Sequence, residues 1–228
     1  MSNLKSIVKR LQDQNPGFGI GTVFDVGANK GQSTQLFQKI FPLAHVHSFE
    51  PVPQTFDILK SNVSLNSKLH LNNAGLGRSS GVVKFTSNLD TGNHRLGNEQ
   101  DNSANSVEVL IKTGDVYCEE NSVVNIDYLK IDTEGYDLDV LAGFTRMLAD
   151  GNIANIQVEC SSNLDNRFHV HLERFIHFLH PFNYRLSDII NPVRRVNKTR
   201  QPMNGIWYCD AVFALEIENP RLRRDGKN

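Results

Sequence analysis

The chain has 228 residues, of which 39% are hydrophobic and 13 are phenylalanine, and its formal net charge is −1 at pH 7. This composition supplies a real core and excludes wholesale disorder, while the charge balance gives no global attraction to a nucleic-acid backbone or an anionic membrane. No apolar run reaches the roughly 18–20 residues of a membrane span, the polar stretch 1–14 does not read as a secretory signal, and the scattered Cys118, Cys160 and Cys209 read as reduced thiols of a cytoplasmic protein.

The length is about one and a half typical domains, and no Pro/Gly/Ser-rich linker divides it, so one domain is expected over 1–228. Within it, 1–20 reads as a helix and linker, 21–217 as the core and 218–228 as a basic tail. Leu4, Ile7, Val8 and Leu11 have the spacing of a short amphipathic helix, stopped by Asn15-Pro16-Gly17. Thr22–Val26 reads as a strand, Gly27–Gly31 as a turn and Gln32–Ile40 as a helix. A second strand, His45–Glu50, ends at Pro51, and Phe56, Leu59 and Val63 mark the next helix. Leu69–Ala74 reads as strand three, and Gly81–Ser87 as an extra hairpin strand.

Asn88–Ser106 is a long polar loop, a length that is usually functional or disordered. Strands follow at Val107–Ile111 and Ile126–Ile131, and Leu138, Leu141, Phe144 and Leu148 give one helix face. Ile153–Glu159 is a strand ending in a carboxylate, and Leu172, Phe175, Ile176 and Leu179 mark another helix. Tyr184–Ile190 and Cys209–Ile217 are the last strands, flanking a basic loop at Asn191–Gly205. Strands alternating with helices are the signature of a parallel α/β sheet. Asparagine, at 24 residues, favours turns and points to a loop-rich chain.

The first chemical motif is Asp25-Val26-Gly27-Ala28-Asn29-Lys30-Gly31-Gln32-Ser33, where the first strand turns into a helix. Ligands of open α/β sheets sit outside the carboxyl ends of the strands, at such turns. A dinucleotide fingerprint would be G-x-G-x-x-G, but Asp25 stands where its first glycine belongs. A carboxylate suits a cationic amino-acid or sulfonium group better than a pyrophosphate, and Asp-x-Gly-x-x-x-Gly is the pattern of S-adenosylmethionine sites. Glu50, 23 residues after Gly27, can accept both ribose hydroxyl hydrogen bonds of an adenosine. It would serve a nicotinamide dinucleotide equally, so a nucleotide-dependent oxidoreductase remains the rival enzyme class, with a plain structural turn as the other alternative.

Together with Leu129-Lys130-Ile131-Asp132-x-Glu134-Gly135, these segments resemble the FkbM family of S-adenosylmethionine-dependent methyltransferases. Weaker echoes are Asn73-Ala74-x-Leu76-Gly77 and Asp210-Ala211-Val212-Phe213. The resemblance implies a Rossmann-like class I methyltransferase fold: a seven-stranded, mostly parallel sheet with helices on both faces. It implies S-adenosyl-L-methionine as cofactor and O-methylation of a small-molecule or glycan acceptor. By position, Asp25, Gly27, Ala28, Asn29, Gly31, Gln32 and Ser33 would surround the methionine part of the cofactor. Glu50 and Pro51 would hold the ribose, with Asn73 and Ala74 near the adenine. The chain departs from the family pattern at Glu159-Cys160, where many relatives carry Glu followed by His. A methyltransferase-fold module that binds cofactor without turnover is the non-enzymatic alternative.

Methyl transfer to a hydroxyl needs alignment and a base within reach, or a metal that lowers the hydroxyl pKa. Asp132, Glu134 and Glu159 lie at strand ends and are expected to converge on one rim, as base, as cofactor or substrate ligands, or as an oxygen-ligand Mg²⁺ site. Glu134 has a second reading, as a cap of the helix beginning near Asp137. In the polar loop, His94 is a candidate base and Arg95 a candidate substrate ligand. Arg194 and Arg195 of the basic loop are candidates for a phosphate-bearing acceptor, against the usual reading of a solvated face. His169, His171, His177 and His180 look like a cluster, but their spacing is expected to scatter them over several helix faces.

Overall fold

A computed structural model of the chain describes residues 19–87, 94–96, 106–166, 168–194 and 204–216. The expected N-terminal helix, most of the polar loop, much of the basic loop and the basic tail lie outside the described residues. In chain order the elements are β1 (Thr22–Val26), α1 (Gln32–Ile40), β2 (His45–Phe49), α2 (Pro53–Asn62), β3 (Leu69–Asn72), β4 (Gly75–Leu76), β5 (Gly81–Ser87) and β6 (His94–Leu96). They continue with β7 (Ser106–Lys112), α3 (Gly114–Glu120), β8 (Tyr128–Ile131), α4 (Asp137–Ala142), α5 (Thr145–Ala149), β9 (Asn155–Cys160), α6 (Leu172–Leu179), β10 (Tyr184–Val193) and β11 (Tyr208–Leu215).

Seven strands form the main sheet in the order β3-β2-β1-β8-β9-β11-β10. The first five run parallel, and β11 and β10 are antiparallel to their neighbours. β1 is flanked by β2 and β8 and covered on both faces, so apart from Asp25 its buried residues Val23, Phe24 and Val26 are apolar without alternation. Val23 packs with Phe37 and Phe41 of the α1 side, while Phe24 and Val26 share the opposite core with Phe49, Phe144, Leu129 and Ile131. Phe24 sits in a ring cluster with Phe49, Tyr117 and Phe144, with centroids 5.5–6.1 Å away.

The third strand ends earlier than expected. Glu50 N–H donates to the Asn72 carbonyl, but the next donor in the alternation, Val52 N–H, turns back to the Glu50 carboxylate and the ladder stops. The chain then crosses to a second, four-stranded sheet of order β4-β7-β5-β6, where Gly75 pairs with Ile111. The polar loop therefore carries a strand, β6, paired with β5. The single helix expected around Leu138–Leu148 is two, α4 and α5. They separate at Gly143, whose backbone comes so close to Gly77 that a Cβ would lie 2.2 Å from the Gly77 carbonyl oxygen.

Sequence periodicity did not reveal α3, a seven-residue helix with a local cap: the Thr113 side chain accepts from Val116 N–H. Asp115 of α3 in turn accepts from the Arg146 and Met147 N–H groups at the start of α5, satisfying two donors that helix geometry leaves open. β10 runs to Val193, so the basic loop begins inside a strand rather than at Asn191.

Candidate active site

A cavity of about 420 Å³ opens at the carboxyl ends of β1, β2 and β8. Val26, Gly27 and Asn29 line it from the first turn, Glu50 and Pro51 from the second, and Asp132, Thr133 and Glu134 from the third. Gly75 to Ser79 and Ile111 close another side, with Tyr136 and Asp139 at the helix that follows β8.

The first turn folds back on the second strand: Gly27 and Ala28 N–H both donate to the Phe49 carbonyl. Gly27 has φ +81, and a Cβ there would lie 1.9 Å from the Asp132 carbonyl oxygen, so this position admits no side chain. Glu50 ties the two turns together. One carboxylate oxygen accepts from Asn29 N–H and the other from Val52 N–H, each at 3.0 Å. Burial pushes the Glu50 carboxyl up to about 7, against the pull of those two N–H groups. Each oxygen retains a further lone pair toward the cavity it lines.

Asp25 does not line this cavity. It is fully buried, its oxygens accepting from Ser33 Oγ at 2.7 and 2.9 Å and from Thr34 Oγ1 at 2.7 Å. The Lys130 ammonium stands 3.8 Å from Asp25 and 2.9 Å from Asp132. Burial works against the charge on Lys130, but Asp132 and Asp25 outweigh it and hold the group above the usual lysine range. Asp25 thus orders the first turn from beneath. The other residues expected around the methionine part divide: Gly27 and Asn29 line the cavity, whereas Ala28, Gly31 and Ser33 support it and Gln32 is exposed. Asn73 donates to the Glu50 and Pro51 carbonyls, and Ala74 is buried, so neither lines the cavity. Their neighbours Gly75, Leu76 and Gly77 do.

At the third turn, Glu134 and Gly135 take φ values of +52 and +100. This left-handed pair is costly at a glutamate and re-aims the chain before α4. Tyr136, not Glu134, holds the N-cap position of α4, and no side-chain capping bond is made there. Burial, then Glu159 and Asp132, push the Glu134 carboxyl up. Beneath it, Asp137 is buried with one oxygen accepting from Thr133 Oγ1 and the other, Oδ1, without a partner among the described residues. Burial and then Asp132 push Asp137 up to about 7.

The three carboxylates expected at this rim do not form one oxygen set. Asp132 is committed to Lys130. The residues whose donor atoms converge are Glu134, Glu159 and His169, all within 4.8 Å of one another. His169 Nε2 lies 2.9 Å from Glu159 Oε2, and its ring stacks on Tyr208 at 4.5 Å between centroids. The hydrogen bond to Glu159 holds the imidazole above its ordinary pKa. The four histidines scatter, but not over helix faces as expected: His169 and His171 precede α6, and His177 and His180 are exposed on and after it. Sequence reasoning nevertheless missed His169 as the partner of Glu159, because ten residues separate them. An isolated bridge between Ser161 and His171 folds the intervening segment back.

The remaining candidates stand apart. His94 and Arg95 belong to β6, paired with Ser87 and Thr86, and their side chains lie outside what is described. Arg194 is exposed beyond β10 and does not line the cavity, and Arg195 lies outside the described residues.

The strand order and the cavity at the carboxyl ends of the central strands define a class I methyltransferase fold. Solved structures agree on the fold: a candidate tRNA (m1A22) methyltransferase of Streptococcus pneumoniae aligns with a TM-score of 0.50 at 14% identity, over 91% of this chain and 69% of the other. A candidate methyltransferase complexed with the Trm112 activator of Haloferax volcanii gives a TM-score of 0.50 at 7% identity, covering 92% and 88%. The family model of the methyltransferase FkbM domain matches residues 25–186, and the chain belongs to that family. Two curated relatives are similar in sequence. The hexuronic acid methyltransferase AglP of Haloferax volcanii is 30% identical over 140 residues, 60% of this chain and 55% of that protein. The methyltransferase sdnD of Sordaria araneosa is 31% identical over 154 residues, 53% and 59% of the two chains. The matches thus span little more than half the length of these relatives. Among the described residues, no helix is long and apolar enough to cross a membrane.

Proposed function

We propose that this chain is an S-adenosylmethionine-dependent O-methyltransferase, that 1–228 acts as one catalytic domain in the cytoplasm, and that the acceptor is a hydroxyl of a sugar or glycosylated small molecule. The observation that carries the cofactor reading is Glu50. It is a buried carboxylate facing the cavity, held by the N–H groups of Asn29 and Val52 with acceptor capacity to spare. A pair of ribose hydroxyls matches that capacity. The close approach at Gly27 and the apolar Pro51, Leu76 and Ile111 fit an extended ligand with a flat ring. Asp25 stands where the dinucleotide pattern has its first glycine, which disfavours the oxidoreductase reading, although it lies buried beneath the turn and does not itself face the cavity.

When bound, the cofactor supplies an electrophilic methyl on a sulfonium, whose positive charge suits a rim bearing Asp132, Glu134 and Glu159. The protein's own work is positional and electrostatic. Gly27 and Asn29 shape the floor, Glu50 fixes the ribose end, and Asp25 keeps the first turn and Lys130 in place. Asp132 and Glu134, which line the cavity, are the acceptors within the site for the hydroxyl proton released on transfer. Glu159 sets the field around Glu134. The similarity to a hexuronic acid methyltransferase supports a carbohydrate acceptor, and His94, Arg95, Arg194 and Arg195 are proposed as its outer contacts.

Calorimetric titration with S-adenosylhomocysteine tests the cofactor assignment. Binding by the wild type is expected, and its absence would overturn the reading. Incubation with methyl-labelled cofactor and a panel of neutral and acidic glycans then tests the acceptor. Transfer to none of them, with the cofactor bound, would favour the non-catalytic module.

A further inference from the structure

The rim contains an arrangement that methyl transfer alone does not require. Two carboxylates and an imidazole from three separate segments bring one donor atom each within 4.8 Å of the others. Ligands at right angles on a divalent ion, each at about 2.1 Å, stand about 3 Å apart. The separation of His169 Nε2 and Glu159 Oε2 is 2.9 Å. Glu134 is the exposed member, so its side chain is free to close the remaining span.

The imidazole is oriented for this role by groups outside the trio. Asn166 Oδ1 accepts from the Phe168 and His169 N–H groups, and its Nδ2 donates to the Trp207 carbonyl, which fixes the amide. His169 Nδ1 lies 3.0 Å from Asn166 Nδ2 and 3.2 Å from that Oδ1, so the amide serves either tautomer: without an ion Nε2–H donates to Glu159, and with Nδ1–H on Oδ1 the Nε2 lone pair is released to an ion. An outer hydrogen-bond acceptor of this kind is the usual companion of a metal-ligating histidine. A second, independent sign is Asp137. Its buried Oδ1 has no hydrogen-bond partner among the described residues, three positions along the chain from Glu134. A buried acceptor near the trio is thus left unsatisfied among the described residues, as expected where a cation completes the site.

We propose that Glu134, Glu159 and His169 form a binding site for one divalent transition-metal ion, with Asn166 positioning the histidine. The nitrogen donor favours ions of the Mn²⁺ to Zn²⁺ series over the all-oxygen Mg²⁺ site expected from the three carboxylates. Because Glu134 also lines the main cavity, an ion held there adjoins the proposed acceptor region, where it would polarise a hydroxyl. That last consequence rests on the methyltransferase reading, whereas the binding itself does not.

The test uses the full chain stripped with a chelator and titrated with Co²⁺ and with Mn²⁺ alone. One ion per chain is expected, with visible Co²⁺ bands and loss of the free Mn²⁺ resonance signal. His169→Phe keeps a ring on Tyr208 but removes the nitrogen, and Glu134→Gln alters an exposed side chain with little risk to folding. Each variant, and Glu159→Gln, should weaken binding by about tenfold or more, at least the loss known for outer-shell changes. S-adenosylhomocysteine titration of the same samples separates the two claims. A wild type that takes up the nucleoside product but no metal, or metal binding unaltered in Glu134→Gln and His169→Phe, overturns the metal site and leaves the proposed function standing. Stoichiometric metal binding without nucleoside binding does the reverse.

Discussion

The floor of the cavity and its rim are built on opposite principles. The floor, from Asp25 to Glu50, is a closed account of hydrogen bonds. Asp25 is met by two hydroxyls and Glu50 by two backbone N–H groups, while Gly27 and Ala28 share one carbonyl. The rim, from Asp132 to His169, is left open: Glu134 is exposed in a left-handed turn, Asp137 keeps an oxygen unmatched among the described residues, and Glu159 is answered by an imidazole from another segment. A floor complete in itself is suited to holding one ligand in one pose. A rim with excess negative charge is suited to receiving cations and releasing protons. The two meet where the Gly27 backbone lies against the Asp132 carbonyl, beside the Lys130 ammonium that stands between Asp25 and Asp132.

Breaking that contact should have the largest effect. Gly27→Arg forces a side chain into a left-handed position, at about 1–2 kcal/mol for the backbone alone, and places its Cβ against Asp132. We expect S-adenosylhomocysteine binding to fall below calorimetric detection while circular dichroism still shows a folded protein. Retained affinity would remove the first turn from the ligand site. Asp25→Asn should come next. It takes charge from a fully buried carboxylate facing Lys130, and denaturant titration should show a loss of about 2–3 kcal/mol. An unchanged midpoint would mean that Asp25 does not order the floor.

The same division explains what was legible in the sequence. The floor is local: Asp25, Gly27, Asn29 and Glu50 lie on two strand ends that pair directly, so a linear motif and one spacing are enough to find them. The core was legible for the same reason, since Phe24, Val46 and Leu129 belong to apolar runs of parallel strands. The rim is assembled across distance. His169 reaches Glu159 only after the chain turns back at Ser161, and no periodicity encodes that. Gly75 to Gly77 enter the cavity because the β2–β3 ladder stops at Glu50, where Val52 N–H turns back to the carboxylate, a consequence visible only once the register is known. The split of α4 from α5 follows from Gly143 meeting Gly77, a tertiary contact between residues 66 apart.

The charge states of floor and rim can be separated by pH. Glu50 titrates near 7 in the folded chain against an ordinary 4.5, so its stabilising contribution is full below pH 4.5 and is lost as the pH rises toward 7. Glu50→Gln should remove up to about 3 kcal/mol of that dependence, measured by denaturant midpoints from pH 4.5 to 8. Asp137 acts with the same sign from 3.8 to about 7, so Asp137→Asn should flatten the curve from its lower end. The two variants differ in binding. Hydroxyl donors on Glu50 favour its ionised form, so wild-type affinity for S-adenosylhomocysteine should fall about tenfold per pH unit below 7. Asp137→Asn should keep that slope, and Glu50→Gln should lose it. A slope kept by Glu50→Gln would assign the proton to another group.

Asp132→Asn should leave the fold and the nucleoside affinity near wild type but abolish turnover, because it removes the charge of a rim acceptor and keeps the backbone carbonyl beside Gly27 and the Asp25–Lys130 pair. Undiminished turnover would take Asp132 out of the mechanism. The smallest effect is expected at Arg78, which pairs with Asp139 at 2.9 Å but is 69% exposed. Such surface pairs contribute about 0–1 kcal/mol, so Arg78→Gln should barely shift the denaturation midpoint. Both residues nevertheless line the cavity, so the substitution should show itself in KM for an acidic acceptor and much less for a neutral one. Equal KM changes for the two acceptors would mean that this edge of the rim positions substrate by shape and not by charge.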